Sequence, residues 1–279
     1  MTAAPEVLLI GHITADLTPT GRQMGGTVSY AARVLAAFGM RAAVLTSAAP
    51  DDPLLEGLRP YVDQLVVLPA AQTSTFENIY GPNGRVQYIR GVAAPIGPED
   101  VPPDWLAAPF VHLAPLTDEV SPRIAHLFPH ATVMLTLQGW LRRWDADGRV
   151  WFKRWFDPDI LRSVDIVVFS EEDILDAPEL EPEFAGAVPH LFVTRAERGG
   201  THYHQGEPHP YTTPQVTQIH PTGAGDIFAA ALLASLPRVH QDYRAATRIA
   251  ARLAATSVTR IGLDSAPTAD EVRQALLEG

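Results

Sequence analysis

The chain reads as an α/β domain built on a mostly parallel sheet, and three observations predict this. Short aliphatic and β-branched runs alternate along the sequence with stretches of helical periodicity, the mark of repeated βαβ units. Most of those runs lack polar alternation, so both of their faces are expected to be covered. Finally, a chain of 279 residues that is 46% hydrophobic and 19% charged can bury one large core without staples.

The elements follow in order. A first strand is expected at Val7–Ile10, then a helix from about Val28 to Phe38 stopped by Gly39, then a strand over Ala42–Thr46. Thr75–Tyr80 and Arg85–Arg90 alternate with period two around Pro82-Asn83-Gly84, which predicts a hairpin with one wet face. Phe110–Leu113, Thr132–Leu135, Ile166–Phe169 and Leu191–Thr194 read as buried central strands. Helices are expected at Asp226–Leu236, which Pro237 ends, and at Tyr243–Thr259 and Ala269–Leu277. The 25 prolines are scattered among connections, which favours rigid loops over a disordered linker.

Composition excludes several functions. A net charge of −11 argues against a nucleic-acid binder, which needs clustered Lys and Arg. With no cysteine, disulfides, Cys-ligated metals and thiol nucleophiles are out. The start of the chain has no basic leader and no apolar stretch approaches a membrane span, so a cytoplasmic protein without membrane partners is expected. His202-Tyr203-His204 alternates as a strand would, and with His209 and His126 it reads as surface or packing.

The segment from His220 to Asp226, His-Pro-Thr-Gly-Ala-Gly-Asp, carries the most chemistry. Gly223, Ala224 and Gly225 leave backbone N–H groups uncovered where a helix begins, so the turn can wrap an anion in the positive end of the helix dipole. Asp226, one residue on, is placed to take a proton from a hydroxyl attacking a held phosphoryl group. A helix N-terminus lowers a carboxylate's pKa, so the expected role is late acceptance of the proton. The other reading of these residues is an ordinary helix start with a dipole-paired Asp. Elsewhere, Asp16 lies a few residues beyond the first strand, where a carboxylate can accept from two vicinal hydroxyls. Gln138 and Arg142 follow the Thr132–Leu135 strand at its carboxyl end, the side where open α/β sheets bind ligands.

In four places the chain resembles the ribokinase-like (PfkB) family of carbohydrate kinases. These are Val7 to Asp16, the Gly25-Gly26 pair before a helix, Val193 to Gly200, and Gly223-Ala-Gly-Asp226 with the closing Ala250–Gly262 segment. The resemblance implies a three-layer α/β/α fold over residues 1–279, with a small β lid from about residues 12–21 and 72–95 that also raises a homodimer through the lid. It implies Asp226 as base and Gly223–Gly225 as anion hole. It places the acceptor among Asp16, Gly25, Gly26, Tyr30, Gln138 and Arg142, and ATP along Thr194, Gly199, Thr222 and Ser257. Asp173 would act on Mg²⁺ indirectly.

Three departures bear on substrate. His220 stands where the family usually has Asp, Tyr30 where it has Asn, and Ser170-Glu-Glu-Asp173 where it has Asn-x-x-Glu. With Pro221 and Gln138 to Trp144, Tyr30 leans toward the myo-inositol kinase branch, because its phenol face suits a six-membered polyol. The alternatives are a nucleoside kinase, with Tyr30 and Phe76 stacking a base, and a non-catalytic sugar or nucleotide sensor.

Overall fold

A computed structural model describes residues 4–19, 21–81 and 84–278. Its first half contains β1 (Val7–Ile10), β2 (Thr14–Thr18), β3 (Gly21–Gly25), α1 (Thr27–Ala37), β4 (Ala42–Ala48), α2 (Leu54–Leu58), β5 (Gln64–Pro69), β6 (Thr75–Gly81), β7 (Gly84–Gly91), β8 (Phe110–Leu113) and β9 (Thr132–Thr136). Its second half contains β10 (Arg142–Trp144), β11 (Val150–Phe152), α3 (Pro158–Leu161), β12 (Ile166–Ser170), α4 (Leu180–Ala187), β13 (His190–Thr194), β14 (Gly200–His204), β15 (Glu207–Tyr211), α5 (Ala224–Ser235), α6 (Tyr243–Ser257) and α7 (Ala269–Glu278).

Nine strands form the main sheet in the order β15-β14-β13-β12-β9-β8-β1-β4-β5, parallel from β13 to β5 with an antiparallel edge at β14 and β15. Strand β1 shows why the run carries no alternation. Val7 and Leu9 enter the core beneath α1, α5, α6 and α7, while Leu8 and Ile10 enter the core on the opposite face. All four are at most 1% exposed, each burial contributing about 2 kcal/mol. The result is the three-layer arrangement that the family resemblance implies. Helix α5 is buried continuously from Ile227 to Ser235, which requires a helix that is apolar or small all round.

A second sheet, β3-β2-β6-β7, forms the lid. Its pairs are antiparallel except β2 with β6, which run parallel. The lid's first segment reaches Gly25 rather than ending near residue 21, because β3 continues to the start of α1. Register Gly81↔Gly84 brackets Pro82 and Asn83, the expected turn, which lie outside the described residues. The short hairpin β10–β11 and the strand β5 were not expected from the sequence.

Buried His12 ties the lid to the main sheet. Its Nδ1 meets Ser74 Oγ at 2.7 Å just before β6, and its Nε2 meets the Ala94 carbonyl at 2.8 Å just after β7. A carbonyl only accepts, so Nε2 donates to Ala94. Far away, His190, His202, His204 and His209 share one face of β13–β15, with Tyr243 stacked on His190 at 3.6 Å. Of the histidines read as surface or packing, His202 is buried and His204 and His209 are exposed, and His190 is buried beside them.

Candidate functional site

The site forms where the first turns of α1 and α5 meet beside the carboxyl ends of the central strands. Gly223, at φ +89°, caps α5 in the left-handed region that favours glycine. Ala224 N–H turns back to the Pro221 carbonyl at 3.3 Å, a long bond. The Gly225 and Asp226 amides lie in the first turn of α5, where backbone N–H groups have no intrahelical partner. A Cβ on Gly225 would meet nothing within 4 Å, so an anion has an open approach at that residue.

Asp226 accepts a hydrogen bond from Thr27 Oγ1 at 2.7 Å. Its carboxyl is pushed up to about 6 by burial, against the lowering effects of Thr27 and of Arg142, with Asp173 and Asp16 raising it further. A lowered acid was expected here, and burial raises it instead. The group is still mostly ionised at neutral pH and is a better proton acceptor than an ordinary Asp.

The carboxylates of Asp16 and Asp173 and the guanidinium of Arg142 are thus close enough to Asp226 to act on it electrostatically. Arg142 Nη1 donates to the Leu116 carbonyl at 3.3 Å, and its guanidinium lies 5.5 Å from the centre of the Phe76 ring on the lid. Asp173 accepts from Gln138 Nε2 at 3.1 Å and from the Ser170 amide at 2.9 Å. Gly25 serves Asp16, where approach of a polyol to the backbone was expected. A Cβ there would sit 2.3 Å from Asp16 Oδ2, so the carboxylate occupies the space glycine leaves. Gly26, at φ +91°, presses on the His12 carbonyl, which a Cβ would approach to 2.8 Å.

Two expected site residues turn elsewhere. Tyr30 is 3% exposed, and its ring packs against Gly223, where a Cβ would meet it at 2.4 Å. The phenol therefore presents no open face to an acceptor. Ser257 is 1% exposed and donates to the Ala254 carbonyl at 2.7 Å, which turns its hydroxyl into the helix and away from a nucleotide. Phe76, the other ring proposed to stack a base, is 4% exposed. Of the residues expected to border a nucleotide, Thr194 ends β13 and Thr222 enters the Gly223 turn. Gly199, at φ +85°, would drive a Cβ to 2.1 Å from the Tyr211 carbonyl, so that glycine is required by the chain itself. Ala196 takes φ +47° in the same turn.

Next to these groups lies a cavity of about 330 Å³. Gln87 of the lid, Gln138, Arg142, Arg149, Glu172 and Asp173 line it, with Trp151 of the unexpected β10–β11 hairpin at its wall. Sequence reasoning missed Thr27 and Trp151. Thr27 follows the Gly-Gly pair directly, which is the one local signal that marks it.

The chain is similar to several known proteins. Residues 159–269 match the model of the pfkB family carbohydrate kinases. A cytidine kinase of Thermococcus kodakarensis is 24% identical over 256 residues, covering 84% of this chain and 89% of that protein. A pyrophosphate-dependent kinase in the ribokinase family, complexed with a pyrophosphate analog and myo-inositol, superposes with a TM-score of 0.81 at 18% identity, over 96% of this chain and 99% of that one. Arabidopsis thaliana ribokinase complexed with ribose and ATP superposes with a TM-score of 0.77 at 18% identity, over 98% and 99% of the two chains.

Proposed function

We propose that this chain, which carries a pfkB family carbohydrate kinase domain and is a sugar or nucleoside kinase of the ribokinase fold, transfers the terminal phosphoryl group of ATP to a hydroxyl of a small six-membered polyol. The observation that carries this reading is Asp226, raised toward neutrality in the first turn of α5 directly behind the Gly223–Gly225 turn. The acceptor oxygen gives its proton to Asp226 as it bonds to phosphorus, and the bond to the donor's leaving phosphate oxygen breaks. First-turn amides of α5 stabilise charge on the transferring group. Asp16 accepts from acceptor hydroxyls, Arg142 and Gln138 fix the other edge of the ring, and the lid excludes water. Thr194, Gly199 and Thr222 border the donor.

Mg²⁺ would neutralise donor phosphates when bound. Among the described residues no three His, Cys, Asp or Glu side chains are arranged to hold a metal, and Asp173 is already engaged by Gln138 and Ser170. That suits a hydrated ion carried by the donor, with Asp173 acting indirectly, because Mg²⁺ keeps several waters in such sites.

With Tyr30 buried, the six-membered acceptor rests on the hydrogen-bonding character of Asp16, Gln138 and Arg142 and on the myo-inositol bound by the fold neighbour. A nucleoside acceptor is the second reading. Trp151, 40% exposed at the cavity, offers the stacking face that Tyr30 and Phe76 do not, and the cytidine kinase match extends over most of the chain.

The test is a product assay of the purified protein with ATP or pyrophosphate as donor and inositols, hexoses, ribose and cytidine as acceptors. An inositol or hexose is expected to lead. Ribose or cytidine better by about tenfold in kcat/KM would overturn the six-membered acceptor. Pyrophosphate as the better donor would overturn ATP. Asp226→Asn should lose about 10² to 10⁴ in turnover while keeping its fold. Retention of half the activity would remove Asp226 as base.

A further inference from the structure

Asp226 is held from the other side of the site. Thr27, the first residue of α1, is 2% exposed, and its hydroxyl reaches the carboxylate across 199 positions of sequence. One turn further on, Tyr30 fills the space beside Gly223. The start of α1 therefore touches the α5 entry turn twice, at the backbone of its cap and at the carboxylate three residues later. Gly26 sets this approach, since any side chain at that residue would collide with the His12 carbonyl.

We propose that Thr27 is the positioning residue for the general base: its hydroxyl holds Oδ1, fixes the carboxylate's orientation, and leaves Oδ2 as the oxygen that receives the acceptor's proton. This rests on the reading of Asp226 as base. The acceptor O–H bond breaks, its proton passes to Oδ2, and the oxygen's electron pair forms the new bond to phosphorus as the donor's leaving oxygen departs. A hydroxyl donating to one carboxylate oxygen stabilises the ionised form and makes that oxygen the less basic of the two. Thr27 also offsets part of the burial that disfavours the charge. The charged groups bearing on the same carboxylate are Arg142, which favours ionisation, and Asp173 and Asp16, which oppose it. The amides of α5's own first turn add to the favourable side.

Thr27→Val keeps the shape and deletes the donor, while Thr27→Ser keeps the donor. The direct readout is the ¹³C carboxyl titration of Asp226 in the full chain, assigned against Asp226→Asn, which needs no substrate. Loss of one hydrogen bond to a charged group should move the Thr27→Val midpoint up by about one pH unit, and Thr27→Ser should return it toward wild type. The acid limb of kcat/KM should move with it, and turnover on the alkaline plateau should fall about tenfold, restored by serine. Thr27→Ala gives the same comparison if valine disturbs α1. An unmoved titration in folded Thr27→Val, alongside an inactive Asp226→Asn, overturns the role of Thr27 alone. An active Asp226→Asn overturns the base assignment, and this proposal with it.

Discussion

Gly25→Ala isolates one link in the proposed acceptor site. The φ of Gly25 is not in the left-handed region, so alanine fits the backbone and the effect is confined to the side chain. Its Cβ would lie 2.3 Å from Asp16 Oδ2, 2.9 Å from Asp16 Cγ and 3.1 Å from Thr14 Oγ1. Ordinary contact begins near 3.4 Å, so the carboxylate must retreat by roughly 1 Å. A hydrogen bond of about 2.8 Å stretched that far is lost, since such bonds weaken steeply beyond about 3.2 Å. A bond to a charged group is worth about 1.5–3 kcal/mol, which converts to a rise of about 10- to 100-fold in acceptor KM. Donor KM should stay put, because the donor meets the opposite side of the site. The assay is steady-state kinetics with acceptor varied at saturating donor and then the reverse. Asp16→Ala should reproduce the loss, and adding Gly25→Ala to it should cost nothing more, as expected when both changes remove one interaction. An acceptor KM within about threefold of wild type in a folded Gly25→Ala protein would refute the argument that Asp16 holds the acceptor.

Two further outcomes are expected. Burial and neighbouring histidines lower His190 to about 4 and His202 to about 3, both below their ordinary 6.5, so the unfolded chain takes up protons that the folded chain refuses as pH falls below about 6.5. Stability should drop by up to about 2–3 kcal/mol per pH unit toward pH 4, and His202→Phe, which keeps the stack on Phe192, should roughly halve that slope in denaturant titrations; a parallel dependence would refute it. A neutral polyol should be preferred over its own monophosphate by about tenfold or more, because Asp16, Asp173 and Asp226 outnumber Arg142 around the reacting centre; competition between the two acceptors measures this, and equal use would refute it.

The parts that were legible in the sequence are those whose constraint is local. Val7 to Ile10 is buried on both faces, so an unbroken apolar run was the right signal for a central strand. The start of α5 was legible because two glycines, an alanine and an acid at a helix entrance form a pattern in adjacent residues. The lid's second hairpin alternates because one face is wet, whereas β3 is a polar run, Gly-Arg-Gln-Met-Gly, and gave no strand signal. Strands β10 and β11 are three residues each, too short for periodicity, although Trp151 at the cavity belongs to them.

The chemistry of the site depends on pairings that no local window contains. Tyr30 was correctly assigned to the first turn of α1, but the direction of its ring is decided by Gly223, far along the chain, which has no side chain to compete for the space. The same holds for Asp226. A first-turn acid read in isolation has its pKa lowered by the helix dipole, and only the packing of α1, the lid strand bearing Asp16 and the Asp173 turn around it reverses the sign. An acid in a helix's first turn is raised when a second helix start, closed by a Gly-Gly pair, is packed against it and removes it from water. The departure at Tyr30 then bears first on the shape of the Gly223 turn. Its replacement by Asn would open space beside Gly223 and loosen that turn before it changed any contact with an acceptor.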